Sequence, residues 1–304
     1  MQHYLSFVIA TKDRLNQIRR LLGSIQAQSH LPYQIIIVDA SQKPLEDLIK
    51  EFPGLSIKYL RCVTPSPTRQ RNIGIEAVDQ KTTLVGFIDD DAVLEIDSLK
   101  AMMEFWRQAP ENVAGAAFNM VNHPKASLVF FKSIPLVKAF GLYDRRKGVV
   151  PASGFQTMIG YVTEITYAQW LPTGAVVWLR GIFDEFRFDE WFDYNYLEDV
   201  DFSYRVGKKY KLAVVAGAKY SHYPEHEKRS NDYRFGKKEI SNRIYFVEKN
   251  QELSLPKCYL VLIIRMFITL ILAMRQARFY HFQRFCGNIV EILGYNLNLH
   301  RKKP

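Results

Sequence analysis

Short apolar runs alternate with segments of helical spacing over the first hundred residues. Four runs have the length and composition of buried strands, and they cover residues 5–10, 34–38, 57–60 and 84–88. Between them, the spacing of apolar residues predicts helices over 15–27, 45–52 and 68–78. This β-α-β-α-β-α-β order is typical of an open, mostly parallel sheet with helices on both faces. We therefore predict an α/β fold.

The second half of the chain is less regular. A helix is predicted at 99–108, and strands are predicted at 113–119, 176–179 and 212–216. We expect three parts along the chain. They are a domain over 1–225 whose two halves meet near residue 95, a basic loop and helix over 226–255, and an apolar, basic helical extension over 256–304.

Three adjacent carboxylates, Asp89, Asp90 and Asp91, end the fourth apolar run. Buried without a counter-charge they would repel one another. In an extended chain successive side chains alternate, which would point Asp89 and Asp91 the same way. Hard oxygen ligands suit Mg²⁺ or Mn²⁺ together with phosphate oxygens, so we predict a metal–diphosphate site. The alternative is a solvated turn with a helix cap.

Further acids lie where other predicted elements begin or end. Asp13 and Asp39 follow the first two strands, and ligands of such sheets bind beyond the carboxyl ends of the strands. Glu198 and Asp199 lie near the start of a short helix, where the helix dipole favours negative charge. They are either functional or simple helix caps.

The net charge of +10 favours anionic partners. Much of the excess lies beyond residue 255, where eight basic residues stand against Glu291 alone. That region is also apolar: 258–274 is interrupted by Arg265 and Thr269, and a central arginine is costly inside a bilayer. We therefore predict a helix lying in an anionic membrane interface, and a core or dimer helix is the alternative. This composition favours a membrane surface over nucleic acid.

The three cysteines are widely spaced, which predicts no disulfide framework and a reducing compartment. The N-terminal residues lack the basic and long apolar regions of a signal peptide. These two features predict a cytoplasmic protein, and the apolar C-terminal region predicts its peripheral attachment to a membrane.

The sequence resembles the family 2 glycosyltransferases of the GT-A fold over roughly residues 5–250. Four stretches match in order, and they are 7–14, 35–41, 69–74 with 89–91, and 198–201. The resemblance implies a GT-A sheet with a nucleotide-binding half and an acceptor half. It also implies an inverting, metal-dependent transfer of sugar from a nucleotide-diphosphate donor.

The resemblance assigns roles to residues. Nucleotide-sugar binding falls to Thr11, Arg14, Asp39, Arg71, Asp89 and Asp90, with Asp39 on the nucleoside and Arg71 near the diphosphate. Asp89 and Asp91 would form the DxD pair for Mn²⁺ or Mg²⁺, with Asp91 the direct ligand. His222 matches a further ligand position in some relatives, a structural histidine being equally open, and His226 is a weaker candidate.

The matching Glu198-Asp199 pair implies a general base. Asp199 would deprotonate the acceptor hydroxyl, and Glu198 would bind the acceptor or orient the base. Thr173 and Gly174 would border the acceptor pocket. Because no Gln-x-x-Arg-Trp motif is found, a single sugar would be added per event. The acceptor would be a glycan or lipid-linked glycan of cell-surface polysaccharide, lipopolysaccharide or exopolysaccharide biosynthesis, and oligomerisation is left open.

Two rival interpretations are retained. Asp89 and Asp91 also fit the DxDx(T/V) pattern of haloacid-dehalogenase-like phosphatases, in which the first Asp is a nucleophile. That motif normally ends the first strand of its domain, whereas three strand–helix units come first here. The other rival is a non-catalytic basic membrane-surface protein. A nicotinamide-binding domain is disfavoured, because no G-x-G-x-x-G follows the first strand.

Overall fold

The computed structural model describes residues 2–123, 143–192, 196–224, 232–276 and 279–296. The chain divides into two compact units. The first unit comprises Met1–Lys125, Met158–Asp193 and Glu198–Glu225, and the second comprises Ala126–Thr157, Tyr194–Leu197 and His226–Pro304. His226 and most of the predicted basic loop lie outside the described residues. The three-part boundaries given above stay a prediction.

The first unit begins with alternating strands and helices, as the sequence predicts. The elements are β1 (Leu5–Thr11), α1 (Leu15–Gln26), β2 (Gln34–Asp39), α2 (Glu46–Ile49), β3 (Ile57–Arg61), α3 (Pro67–Ala77) and β4 (Leu84–Ile88). The four strands are parallel in the order β3-β2-β1-β4. Strands β1, β2 and β4 are buried almost throughout, which explains their continuous apolar composition.

The remaining strands extend this sheet with mixed directions. The elements are β5 (Ala92–Leu94), α4 (Ser98–Gln108), β6 (Val113–Met120), β7 (Thr166–Ala168), β8 (Ala175–Leu179), a 3₁₀ helix (Arg180–Asp184), α5 (Glu198–Gly207) and β9 (Lys211–His222). Strand β8 pairs antiparallel with β4, and the order continues β8-β6-β9-β5, with β7 on β9. Strand β9 is longer than predicted and runs on past residue 216 to His222, where it pairs with β5.

Three helices dominate the described part of the second unit, and they are α6 (Asp232–Lys249), α7 (Leu255–Gln276) and α8 (Phe279–Asn296). Helices α6 and α8 meet backbone to backbone. A Cβ at Gly236 would lie 2.2 Å from the Arg284 carbonyl oxygen, and one at Gly287 would lie 2.1 Å from that of Tyr233. Only glycine fits at either position without separating the helices.

The outer face of α7 is apolar and exposed. Leu260, Ile263, Phe267, Ile271 and Met274 follow one another every three or four residues, and Phe267 and Met274 are 60% and 68% exposed. Over the described residues, one helix, Leu255–Arg275, is long and apolar enough to cross a membrane by length and composition. The Arg265 guanidinium lies 3.3 Å from the Glu239 carboxylate of α6, so this arginine forms an ion pair within the second unit.

Candidate active site

The three aspartates form the turn that joins β4 to β5. The Ala92 amide donates to the Asp89 carbonyl at 3.0 Å, and the Asp89 amide donates to the Gly174 carbonyl at 3.0 Å. Asp89 and Asp91 therefore converge through a tight turn and not, as expected above, by alternation along an extended strand. The convergence is as expected, but its cause is different.

Asp89, Asp91 and His222 form a candidate metal site. One ligand atom from each lies within 4.8 Å of the others. His222 reaches this place because the β5–β9 pairing sets it opposite Ala92, next to the turn. Its Nε2 lies 2.8 Å from Asp91 Oδ1. Two carboxylates and an imidazole suit a divalent cation such as Mn²⁺ or Mg²⁺, so the residues present fit the metal implied by the sequence.

Arg14 and Thr11 hold the middle of the turn in place. The Arg14 guanidinium donates to Asp90 Oδ1 and to Asp91 Oδ2, both at 2.9 Å. The Thr11 hydroxyl donates to Asp90 Oδ2 at 2.7 Å. Asp90 is 5% exposed, and burial raises its pKa to about 6 despite the Arg14 charge. Both carboxylate oxygens of Asp90 are therefore hydrogen-bonded within the protein, and Asp90 anchors the turn.

Asp91 and His222 influence each other's protonation. Burial raises the pKa of Asp91, but the hydrogen bond and charge of His222 and the charge of Arg14 outweigh it, so the net pKa is below its usual range. The hydrogen bond to Asp91 raises the pKa of His222 more than burial lowers it. Asp91 is therefore held as an anion, the form that ligates metal.

Arg71 connects the aspartate turn to the acids of α5. Its guanidinium donates to Asp89 Oδ1 at 3.2 Å and to Glu198 Oε1 at 3.3 Å. The side chain is buried, and although burial lowers the pKa of Arg71, the charges of Asp89 and Glu198 raise it overall. Arg71 is thus a fixed cation between two carboxylates.

Glu198 and Asp199 open helix α5 side by side. Burial raises the pKa of both, and the Glu198 charge contributes to raising that of Asp199 to about 7. The Val200 amide donates to Asp199 Oδ1 at 2.8 Å, while Glu198 is paired with Arg71. A carboxylate with a pKa near neutrality can accept and release a proton under physiological conditions, as a general base must.

Gly174 borders the same region from the start of β8. A Cβ there would lie 2.9 Å from the Tyr220 hydroxyl and 3.6 Å from Asp89 Oδ2. Its neighbour Thr173 is buried. Because residue 174 is a glycine, Tyr220 and Asp89 can both approach the space beside it. The acceptor role of Thr173 and Gly174 stays a prediction.

Asp39 lies at the end of β2, beside Thr11 and Arg61 in the sheet register. It is fully buried, and its carboxylate accepts from the Ser41 amide at 2.7 Å, the Tyr59 hydroxyl at 2.6 Å and Arg61 at 2.7 Å. The predicted nucleoside contact of Asp39 is untested. Tyr59 and Arg61 were not predicted from the sequence, although their place at the end of the third predicted strand is a signal that could have found them.

The chain is similar to known glycosyltransferases in sequence and in fold. Residues 6–151 match the model of the family described as Glycosyl transferase family 2. A search of curated proteins gave no match. Among solved structures, S. aureus TarS shares 16% identity at a TM-score of 0.51, covering 80% of this chain and 42% of that chain. This chain thus spans less than half of TarS.

Two further structures carry ligands in their descriptions. S. aureus TarS 1–349 in complex with UDP-GlcNAc shares 16% identity at a TM-score of 0.53, over 80% of this chain and 66% of that chain. GalNAc-T7 with UDP, GalNAc and Mn²⁺ shares 15% identity at a TM-score of 0.57, over 75% of this chain and 44% of that chain. At such identities the likeness establishes the fold. Residues 6–151 therefore match glycosyltransferase family 2, and the chain has the GT-A fold.

Proposed function

We propose that this protein is an inverting glycosyltransferase that moves one sugar from a nucleoside-diphosphate donor to a hydroxyl of a glycan or lipid-linked glycan. The proposal rests on two neighbouring sets of carboxylates, one arranged to bind a cation and the other containing a residue with a raised pKa. Asp89, Asp91 and His222 form a cluster suited to a cation, and Arg71 connects Asp89 to the Glu198–Asp199 pair, where Asp199 has a raised pKa.

The residues divide the chemistry between them. Asp89, Asp91 and His222 would hold a divalent cation, which when bound supplies charge neutralisation for the leaving diphosphate. Arg14 keeps Asp91 oriented toward the cluster. Asp199 accepts the proton of the acceptor hydroxyl as that oxygen attacks the anomeric carbon. Glu198, held in place by Arg71, raises the pKa of Asp199 through its negative charge.

A calorimetric titration tests the donor side of the proposal. Uridine, guanosine and thymidine diphosphates are titrated into the protein with and without Mn²⁺. We expect one nucleotide to bind and to depend on the metal, since GT-A neighbours are described with UDP-GlcNAc and with UDP and Mn²⁺. Asp91→Ala should abolish this metal-dependent binding. No binding by any of the three nucleotides with metal present would contradict the proposal.

The acceptor side is tested by turnover. Asp199→Ala should lose transfer while it binds the nucleotide like the wild type. The phosphatase alternative predicts release of inorganic phosphate from a phosphomonoester, which a transferase does not produce. In the structure Asp89, the nucleophile of that alternative, follows the fourth strand in chain order and is paired with Arg71. Phosphate release dependent on Asp89 would replace the transferase proposal.

We further propose that helices α7 and α8 attach the protein peripherally to the inner face of an anionic membrane, where a lipid-linked acceptor would be presented for cell-surface polysaccharide synthesis. The exposed apolar residues of α7 support this. On α8, Phe279, Phe282 and Leu293 are likewise exposed at 71%, 49% and 60%. One basic residue, Arg275, is exposed at the end of α7. Two exposed apolar faces with an arginine at the end of one of them suit an anionic lipid interface.

Vesicle flotation tests the attachment. The protein should float with vesicles that contain a quarter phosphatidylglycerol and less with neutral vesicles. Phe267→Glu together with Met274→Glu should abolish flotation, whereas Glu51→Gln, an exposed change in the first unit, should leave it intact. A stable dimer in solution whose interface these two substitutions disrupt, with no flotation of the wild type, would contradict membrane attachment.

A further inference from the structure

Tyr220 is a buried residue of the site whose hydroxyl the mechanism above does not use. It precedes His222 by two residues on β9, so both side chains lie on the same face of the strand. The β5–β9 pairing sets Tyr220 opposite Leu94 as it sets His222 opposite Ala92. The ring is fully buried, and within the described ranges its hydroxyl oxygen has no hydrogen-bond partner.

An unpaired buried hydroxyl is costly to the folded protein. Hydroxyl groups taken out of water are almost always paired, and each exception calls for a reason. A phenolic hydroxyl ordinarily keeps its proton at physiological pH, so the Tyr220 hydroxyl is available as a hydrogen-bond donor.

The position of the hydroxyl indicates where its partner lies. It is 2.9 Å from the point that a Cβ of Gly174 would occupy, and Asp89 Oδ2 is 3.6 Å from the same point. The hydroxyl thus faces the same small space as Asp89, a member of the cluster that would hold the cation and its diphosphate.

We propose that the Tyr220 hydroxyl donates a hydrogen bond to a hydroxyl or ring oxygen of the transferred sugar, which makes Tyr220 a sugar-positioning residue. The inference rests on the proposed function, because the transferred sugar is bonded to the diphosphate that the cation beside Asp89 would hold. Gly174 is required at its position because a methyl group there would press against the hydroxyl that the sugar needs. Binding of the sugar would give the Tyr220 hydroxyl a hydrogen-bond acceptor, whereas binding of the nucleotide alone would not.

The test compares Tyr220→Phe with the wild type in three measurements. Binding is measured by calorimetry in Mn²⁺ with the nucleoside diphosphate selected by the titrations above, and then with its hexose and N-acetylhexosamine conjugates. We expect affinity for the diphosphate to stay within twofold and affinity for the best conjugate to fall about tenfold, which corresponds to about 1.4 kcal/mol. The melting temperature without ligand should be unchanged or higher, because the substitution removes an unpaired hydroxyl.

Two further variants sharpen the result. Gly174→Ala should reproduce the selective loss of conjugate binding, since its methyl group meets the same hydroxyl. Tyr295→Phe is the matched control in the second unit, because that buried hydroxyl donates to Glu248 at 2.7 Å. It should lower the melting temperature and leave both affinities unchanged.

Each result has a defined meaning. Equal conjugate affinity in Tyr220→Phe and wild type overturns the inference while the proposed function stands. An equal loss for diphosphate and conjugate also overturns it, because the partner would then belong to the nucleotide. A lower melting temperature of Tyr220→Phe would show that the hydroxyl is paired within the protein. Failure of the wild type to bind any nucleotide overturns the proposed function and the inference together.

Discussion

Two clusters of buried charge show how the same residue types serve different ends. In the second unit, Glu239 of α6 accepts from Arg284 at 2.7 and 2.9 Å, from Arg265 at 3.3 Å and from Asn288 at 3.3 Å. In the first unit, Asp89, Glu198 and Asp199 share the single cation Arg71. One cluster has two cations for one carboxylate, and the other has one cation for three carboxylates.

The pKa values follow from these ratios. Burial alone would raise the pKa of Glu239, but the charges and hydrogen bonds of Arg284, the charge of Arg265 and the Asn288 amide lower it to about 2. Burial and the neighbouring Glu198 charge raise that of Asp199 to about 7. The cluster around Glu239 is complete without a ligand and joins helices. Under the proposed function, a divalent cation and a substrate proton would balance the surplus negative charge of the first unit, as is typical of a reactive site.

The largest effect should come from removing the base. Asp199→Asn keeps the shape of the side chain but cannot accept the acceptor proton, so we expect turnover to fall about 10²–10⁴-fold. Nucleotide affinity should stay within twofold, because the cation cluster is untouched. Initial transfer rates and calorimetric binding measure the two quantities. Glu76→Gln, an exposed change on the same unit, serves as the control, and wild-type turnover in Asp199→Asn would remove Asp199 from its assigned role.

The sequence predicts this contrast only in part. Apolar runs ending in acids predicted strands β1, β2 and β4 and the convergence of Asp89 with Asp91, because burial on both faces leaves a plain compositional signal. Arg71 was predicted near the site, but its two carboxylate partners were not, since pairings across 18 and 127 residues depend on tertiary packing. The extension of β9 that brings Tyr220 beside the site was also missed. Its signal was present, because Tyr220 and His222 are spaced by two and the strand period places both on one face.

A second effect should fall on stability and spare chemistry. Glu239→Gln leaves two partly exposed arginines without their shared anion, so we expect a loss of about 1.5–3 kcal/mol in the free energy of unfolding of the second unit. Denaturant unfolding followed by far-UV circular dichroism measures it, with nucleotide binding to the first unit as the second readout. The exposed ion pair of Glu51 with Arg19 offers the matched control, and Glu51→Gln should shift no transition. A Glu239→Gln protein as stable as the wild type would show that the cluster has no structural role.

Acid should separate the two clusters as well. Because the pKa of Asp199 is raised to about 7, turnover should fall about tenfold for each pH unit below that value, as the base becomes protonated. Glu239 behaves in the opposite sense. Because the pKa of Glu239 is lowered in the folded state, its ionisation stabilises the fold at every pH above its unfolded-state pKa. This stability is lost only as the pH falls toward about 2. Turnover should therefore disappear near pH 5 while the circular dichroism spectrum is unchanged, and a flat rate profile between pH 5 and 8 would contradict the assignment of the base.

The smallest effect tests whether the surplus charge costs the folded protein stability. A carboxyl group whose pKa is raised by folding stabilises the fold while it is protonated, and this stability is lost as the pH rises through its folded-state pKa. Ionised Asp199 therefore destabilises the protein at pH 8 when no ligand is bound. Asp199→Asn should then raise the free energy of unfolding at pH 8 by a gain on the order of 1 kcal/mol, seen as a higher melting temperature. The gain should be smaller at pH 5 and vanish only below the unfolded pKa of about 3.9. Scanning calorimetry at both pH values measures it. The inactive variant would be the more stable one at the pH of activity, whereas Glu239→Gln would be less stable at both. Equal melting temperatures of Asp199→Asn and wild type at pH 8 would mean that ionised Asp199 does not destabilise the folded protein, and that its pKa is not raised.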